Sequence, residues 1–354
     1  MITFKSNFSN WIEDESSDSD VIVSSRVKIA RNLTNFTFPH WATEAQLSEV
    51  RGFILKAITG ECDFNDLILI FSEELAPQKK DILVEKHLIS PTFNVKKKGL
   101  AVILSEKNTD LCIMINEEDH LCIQAFSSGL QLQKAWKIAD EIDERLSSHL
   151  PYAFSAHRGY LTERPTNIGT GMRASVMMHL PALAINDEVE LLFSNLSNSN
   201  ITVRGLFGEG TDVAGNFYQV SNQTTIGKSE DEIIDDLQKV SKNIIERERA
   251  ARQILAKEEK IKLIDEVSRA WGTLTHAKLI SFEEAIDYLS MIRLGIDLNI
   301  LPNLSCNQVT KLMMLIKPAH LRDSIGKDVD EDSELIARAN LIKHKLFELR
   351  EGVV

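Results

Sequence analysis

Two apolar runs, residues 111–115 and 121–125, are separated only by Asn116-Glu117-Glu118-Asp119-His120. So short a link cannot carry the crossover that parallel neighbours need, so the two runs must pair as an antiparallel hairpin. That constraint points the chain toward a largely antiparallel sheet. The link is itself unusual. Three adjacent carboxylates repel one another, and their place between strands marks a position that receives a strong cation. Taken alone, an acidic hairpin loop is more often a solvated turn.

Other short runs fit the same sheet. Residues 21–25, 67–71, 100–104 and 201–206 read as strands by length and β-branched content, whereas 174–180 fits strand or helix because of Met177 and Met178. Leu132, Ala135, Trp136, Ala139, Ile142 and Leu146 are spaced as one helical stripe. Leu47, Val50, Ile54 and Ile58 form another, with Gly60 as its C-cap. The pattern changes after Gly227. Ser229 and Glu232 have the capping-box spacing, and Ile233, Leu237, Val240 and Ile244 follow at helical steps. Only helices are expected from there: one opening at Ser281 and Glu284, one over 307–316 that ends before Pro318, and a last one over 333–349. The fold class is α+β: a largely antiparallel sheet flanked by helices over 1–228, then an all-α domain over 229–354. Residues 1–20 are an N-terminal segment and a solvated linker of acid and serine at 13–20.

A chain of 354 residues, 43% hydrophobic and 26% charged, matches an ordinary soluble protein of two domains. The net charge of −12 argues against sequence-independent nucleic-acid binding and mildly favours a basic protein or peptide as partner. No apolar run approaches the roughly 20 residues of a membrane span, and no secretory leader is recognisable. Cys62, Cys112, Cys122 and Cys306 form no C-x-x-C pair, so neither a zinc nor a disulfide framework is expected and a reducing cytoplasm is the default.

Further clusters carry possible chemistry. In Ser24-Ser25-Arg26-Val27-Lys28 the two cations are two residues apart, share a strand face and call for an anion such as a polyphosphate. A solvated edge strand would look the same. Gly169 and Gly171 before Arg173 let backbone approach a bound group, although P-loop spacing is missing. Gly205, Gly208, Gly210 and Gly215 around Arg204 and Glu209 suit a closing lid. His87 lies beside an apolar run. Each has a plainer structural reading; their order along the chain carries more.

In that order, S-S-R-V-K-I-A-R-N, V-E-K-H-L-I-S-P, N-E-E-D-H, P-T-N-I-G-T-G-M-R-A-S-V, R-G-L-F-G-E-G and Y-Q-V-S-N resemble the guanidino (phosphagen) kinase superfamily. The resemblance is closest to bacterial protein arginine kinases of the McsB type, whose helical tail matches Leu294-Gly295-Ile296-Asp297-Leu298-Asn299. It implies transfer of the ATP γ-phosphoryl group to arginine side chains of proteins, with Mg bridging the phosphates and no protein-held metal site. The implied ATP site comprises Ser24, Ser25, Arg26, Val27, Lys28, His87, Arg173, Ala174, Ser175, Val176, Met177, Arg204, Gly205, Leu206, Phe207, Gly208 and Glu209. Arg26, Lys28, Arg173 and Arg204 would hold phosphate oxygens, and His87 would lie against adenine. An arginine nucleophile has a pKa above about 12, so a carboxylate must orient it and take its proton. Glu118 matches that base, and Glu209 the second orienting carboxylate. The resemblance further implies a homodimer formed through the helical domain, and a role in stress-response proteolysis. The partners it brings are a zinc-binding activator protein, a transcriptional repressor and a Clp-type unfoldase.

The chain departs from that pattern at four places. Lys28 stands where a second arginine is usual. Cys122 replaces a phosphate-binding arginine, and loss of a transition-state arginine can cost on the order of 10³ in rate. Arg164 replaces a cysteine near the acceptor. It would repel the substrate, dock between Glu118 and Glu209 as a pseudosubstrate, or restore the charge missing at 122. Of a phosphoarginine-binding R-D-x-x-R-A, only Arg338 and Ala339 are present. A nucleotide-binding pseudokinase adaptor and a small-molecule guanidino kinase are therefore alternatives to an active protein kinase.

Overall fold

The computed structural model describes residues 16, 18–60, 67–91, 93, 99–105, 110–196, 200–205, 214–326 and 330–351. Strand β1 (Ile22–Arg31) and helix α1 (Glu44–Gly60) come first, followed by β2 (Leu67–Phe71), α2 (Pro77–Glu85), β3 (Ala101–Ser105), β4 (Leu111–Ile115) and β5 (Leu121–Ser128). Next are α3 (Leu132–Ser147), the small ribbon β6 (Phe154–Ser155) and β7 (Gly159–Tyr160), β8 (Met172–His179), α4 (Pro181–Ile185), α5 (Val189–Leu196), β9 (Ile201–Gly205) and β10 (Phe217–Asn222). The remainder is helical: α6 (Glu230–Glu258), α7 (Lys260–His276), α8 (Phe282–Asp297), α9 (Cys306–Leu315), α10 (Pro318–Ile325) and α11 (Glu331–Glu351).

The main sheet has the order β2-β3-β4-β5-β1-β8-β10-β9, and each neighbouring pair is antiparallel. The 111–115 and 121–125 runs pair as the short link requires, with Ile115 opposite Leu121. β1 lies at the centre, between β5 and β8, and runs six residues past the expected end at 25. The ambiguous methionine pair lies on a strand, β8. β10 escaped the sequence reading because Phe217–Asn222 alternates too weakly in polarity to stand out.

Strand parity divides the sheet into two faces. Val27 and Ile29 lie opposite Ala125 and Ile123 on one side and Ala174 and Met172 on the other. They join Leu132, Ala135 and Ala139 of α3 in one core. Ile233, Ile234, Leu237, Ile244 and Ile245 of α6 belong to that same core. The composition shift after Gly227 thus marks the start of a helix whose apolar face still packs on the sheet. Ser229 and Glu232 make the expected reciprocal capping box.

The other face is covered differently. Ile70, Leu83, Val102, Cys112, Met114, Cys122 and Phe126 cluster with Met314 of α9. Phe217 packs with Ala285, Ile286, Leu289, Leu312 and Ile342 of the helical segment. Helices therefore roof this face at its edges and leave a cavity between.

Two local expectations need correction. Gly60 is the last residue of α1, not a left-handed cap beyond it. The acidic run is not solvated at its end: Arg249 of α6 pairs with Asp18 at 3.0 Å and Asp20 at 2.6 Å. Burial alone would raise the Asp20 pKa, but the Arg249 guanidinium holds it below the usual carboxylate value.

Candidate active site

A cavity of about 720 Å³ opens on the second face of the sheet. Its floor follows from register. Arg26 lies opposite Ser175 and Phe126, Lys28 opposite Arg173 and Gln124, and Arg204 opposite Gln219. Side chains directly opposite across a ladder share a face, so four strands bring Arg26, Lys28, Arg173 and Arg204 to one surface. Arg26 donates Nε to the Ser175 hydroxyl at 3.4 Å, and Arg173 donates Nη2 to the Ser221 hydroxyl at 3.1 Å. Burial works against the Arg26 charge. A guanidinium does not shed its proton in a protein, so the charge of this surface is complementary to an anion.

Of the expected ATP-site residues, Ser24, Arg26, Lys28, His87, Arg173, Ser175, Met177 and Arg204 line the cavity. Ser25, Val27, Ala174 and Val176 do not, because parity turns them to the opposite face. Val27, Ala174 and Val176 are core residues, and the Ser25 hydroxyl donates to the Gly129 carbonyl at 2.7 Å. They support the floor from below. Gly205 ends β9, while Leu206, Phe207, Gly208 and Glu209 lie outside the described residues.

The acidic loop resolves into one partly exposed position and four buried, structural ones. Asn116 has φ of +60° and donates Nδ2 to the carbonyls of Leu47 and Gly99. Asp119 accepts from Asn32 Nδ2 at 2.6 Å and the Glu163 amide at 2.7 Å, and burial pushes its pKa up to about 6. His120 accepts the Leu33 amide at Nδ1, and its Nε2 lies 3.0 Å from the Thr37 carbonyl. Glu117 is buried, accepts from the Ser90 hydroxyl and pairs with Lys28 at 3.1 Å. Burial opposes its charge, yet Lys28 holds its pKa down to about 2. Glu118 alone in the loop is partly exposed, and it faces the cavity.

Arg164 donates Nη2 to Glu118. Of the alternatives for this residue, the geometry favours a guanidinium docked on the carboxylate over one directed at the cationic floor. Cys122 lies under Lys28, 1% exposed, opposite Ala30 and Met114. Burial raises its thiol to about 12, so it adds no charge at neutral pH. Lys28 is the cation above it; burial opposes its charge, and the carboxylates of Glu117 and Glu118 hold it in place.

The two glycines of the Gly-rich stretch are required by the protein's own packing, and Gly171 also lines the cavity. Gly171, at φ +69°, leaves room for Ala30 and the Arg31 guanidinium, where a Cβ would meet the Ala30 carbonyl oxygen at 2.6 Å. Gly169 is pressed against Thr225 and Ile226 in the same way. Arg338 is also structural. It is 2% exposed and donates to the carbonyls of Ile316 and Ile280 and to Glu334. Glu334, which stands where the phosphoarginine motif has arginine, supplies the anion from within.

The sequence reading missed Glu117 as the partner of Lys28, Gln124 and Phe126 on the floor, and Phe282, Thr310, Met313 and Lys317 from the helical segment. Gln124 and Phe126 were accessible in principle, since they continue the alternation from Cys122. The helical residues carry no local signal.

The Lys28–Glu117 pair makes a pH-dependent contribution. Glu117 has a folded pKa near 2, below its ordinary value of about 4.3. Its stabilisation is therefore complete above about pH 4.3 and lost as pH falls toward 2. Lys28→Met should be less stable than wild type near neutrality, with the deficit shrinking from pH 4.3 downward. Urea unfolding at a series of pH values measures this; a pH-independent deficit would contradict the pairing.

Comparisons with known proteins bear on what this cavity does. Residues 53–251 match the family model described as ATP:guanido phosphotransferase, C-terminal catalytic domain, and residues 260–352 match protein-arginine kinase McsB C-terminal domain. The protein-arginine kinase of Syntrophomonas wolfei is 44% identical over 99% of this chain and 98% of that protein. The protein-arginine kinase of Halothermothrix orenii is 43% identical over 96% of this chain and 97% of that protein. Among solved structures, lombricine kinase superposes with a TM-score of 0.57 at 23% identity, covering 66% of this chain and 67% of that one. The duplicated taurocyamine kinase of Schistosoma mansoni, with bound transition state analog components, gives 0.60 at 22% identity, covering 78% of this chain and 41% of that one. Those two share the fold. Full-length identity above 40% and two consecutive family models carry the assignment further: the chain belongs to the protein-arginine kinase family of ATP:guanido phosphotransferases.

Proposed function

We propose that this family member transfers the γ-phosphoryl group of ATP to arginine side chains of proteins, with Glu118 as the proton acceptor. The observation that carries the reading is the pairing of a guanidinium, Arg164, with Glu118 at the edge of a cavity floored by Arg26, Lys28, Arg173 and Arg204. A carboxylate that already binds one guanidinium can orient another, and the cationic floor suits a polyphosphate. The bond from Pγ to the ADP oxygen breaks, a guanidinium nitrogen takes its place, and the displaced proton goes to Glu118. Arg26, Arg173 and Arg204 stabilise charge on the phosphoryl oxygens.

Magnesium enters on this reading with the nucleotide. It takes phosphate oxygens and water more readily than an all-protein cage, and among the described residues no group of three or more acidic, histidine or cysteine side chains could hold a metal ion. When bound it would neutralise phosphate charge. Glu117 is committed to Lys28 and Ser90.

The decisive assay is transfer of labelled γ-phosphate from ATP to an arginine-rich protein, giving an acid-labile product. Arg164→Ala should lower the acceptor KM by roughly 1.4- to 5-fold, the range expected for removing an exposed competing ion pair. A second reading, a nucleotide-binding pseudokinase adaptor, draws on the same contact. It gains if neither wild type nor Arg164→Ala transfers label with magnesium and an activator protein supplied. Efficient turnover of free arginine would instead favour a small-molecule guanidino kinase.

The packing of α6 supports a catalytic unit that runs to about residue 258, with the helical domain after it. Ile261, Ile264, Ile336 and Phe347 are exposed there, which supports dimerisation through this domain; sedimentation across a concentration series tests it. Among the described residues no helix is long and apolar enough to cross a membrane. Cys112, Cys122 and Cys306 are free thiols, in keeping with a cytoplasmic location. A zinc-binding activator, a transcriptional repressor and a Clp-type unfoldase in stress-response proteolysis complete the proposal, and co-purification from stressed cells tests them.

A further inference from the structure

The turn after α2 is held from two sides. His87 has φ of +59°, a left-handed conformation uncommon outside glycine that its surroundings must enforce. From the sheet, Gln124 donates Nε2 to the carbonyls of His87 and Leu88 at 3.0 and 2.8 Å. From the helical segment, Lys317 donates Nζ to the Glu85 carbonyl at 2.8 Å and lies 3.5 Å from His87 Nε2. The Glu85 carboxylate in turn accepts the amides of Ala319 and His320 at the start of α10, at 2.7 and 3.0 Å, and meets His320 Nδ1 at 2.6 Å.

Lys317 is only 5% exposed and lines the cavity beside His87. Burying an ammonium is unfavourable without strong partners, and burial lowers its pKa to about 8. A leucine would dock the helical segment onto α2 at less cost. What the lysine adds is a donor for the turn and a cation next to the imidazole. Burial, Lys317 and Arg26 together push the His87 pKa well below its ordinary value. The other titratable groups at the turn are Glu85 and Lys86 of the same stretch, Cys112, whose Sγ donates to the Leu88 carbonyl at 2.9 Å, and His320, which is bonded to Glu85. His87 is thus presented as a neutral ring, beside Ile89 and Met314. A neutral ring can lie against a purine without desolvating a charge.

Resting on the ATP-dependent reading above, we propose that Lys317 is a positioning residue of the nucleotide site. It fixes the His87 turn against the nucleoside end of ATP and thereby builds the helical segment into the nucleotide-binding wall. The cationic floor holds the phosphates, and Lys317 acts at the other end through His87.

The test is equilibrium binding of ATP, AMP and inorganic tripolyphosphate to the full chain, as wild type, Lys317→Met, Lys317→Arg and His87→Gly. Lys317→Met is expected to weaken AMP and ATP by about tenfold, a difference of about 1.4 kcal/mol, and to leave tripolyphosphate unchanged. Lys317→Arg should recover most of the loss. His87→Gly, which suits the left-handed turn, should lose AMP affinity in the same way even if the methionine variant fails to fold. Unchanged AMP binding, or an equal loss of AMP and tripolyphosphate, overturns the proposal while leaving the ATP reading intact. Wild type that binds neither ATP nor AMP overturns both.

Discussion

Glu118→Gln is expected to slow phosphoryl transfer to an arginine acceptor by about 10²- to 10⁴-fold, the usual contribution of a positioned general base. Nucleotide affinity should stay within about twofold of wild type, because the change removes a proton acceptor and not a phosphate contact. The amide keeps the shape of the carboxylate and can still accept a hydrogen bond from a guanidinium. It cannot take the proton. Single-turnover transfer measured beside ATP binding separates the two effects. Asp119, one residue along, behaves as a contrast: it is spent on Asn32 and the Glu163 amide, so Asp119→Asn should act on stability and not on the transfer step. If Glu118→Gln transfers label at the wild-type rate, another group takes the proton and the proposed mechanism is wrong.

How much of this was legible in the chain depends on whether the signal is local. The hairpin at Asn116–His120 was forced by length, and the capping box at Ser229 by side-chain chemistry within one turn. Both stand in the structure. The cationic floor was legible in part: Arg26 and Lys28 share a face by parity alone, but their alignment with Arg173 and Arg204 needs the register of four strands. The same parity rule corrects the expected site, because it sends Ser25, Val27, Ala174 and Val176 to the opposite face. Gly169 and Gly171 left two readings open for a related reason. A glycine reports that something comes close, not whether that something is a ligand or the protein's own Arg31. Lys317 is more than two hundred residues from the turn it holds, and no periodicity connects the two.

Arg31→Met should destabilise the fold by roughly 3–5 kcal/mol, the cost of breaking a buried ion pair from one side. Arg31 belongs to the same nine-residue motif as Arg26 and Lys28, yet its odd position turns it to the core face. It is 2% exposed and donates Nε and Nη2 to Asp143 Oδ2 of α3, at 3.0 and 2.6 Å. Nη1 reaches the carbonyls of Ala30 and Thr170, and the guanidinium lies 3.5 Å from the Tyr160 ring centroid. Methionine fills much of the space but leaves Asp143 charged and buried. Its Oδ1 already lacks a hydrogen-bond partner, so the carboxylate has little to fall back on. Urea unfolding near neutral pH measures the loss. Arg31→Met combined with Asp143→Leu should recover much of it, because a matched apolar pair removes both desolvation penalties. A single-variant deficit below about 1 kcal/mol, within the ordinary run of mild substitutions, would mean that the pair does not tie α3 to the sheet. The cations of the cavity would then owe their placement to the strand ladder alone.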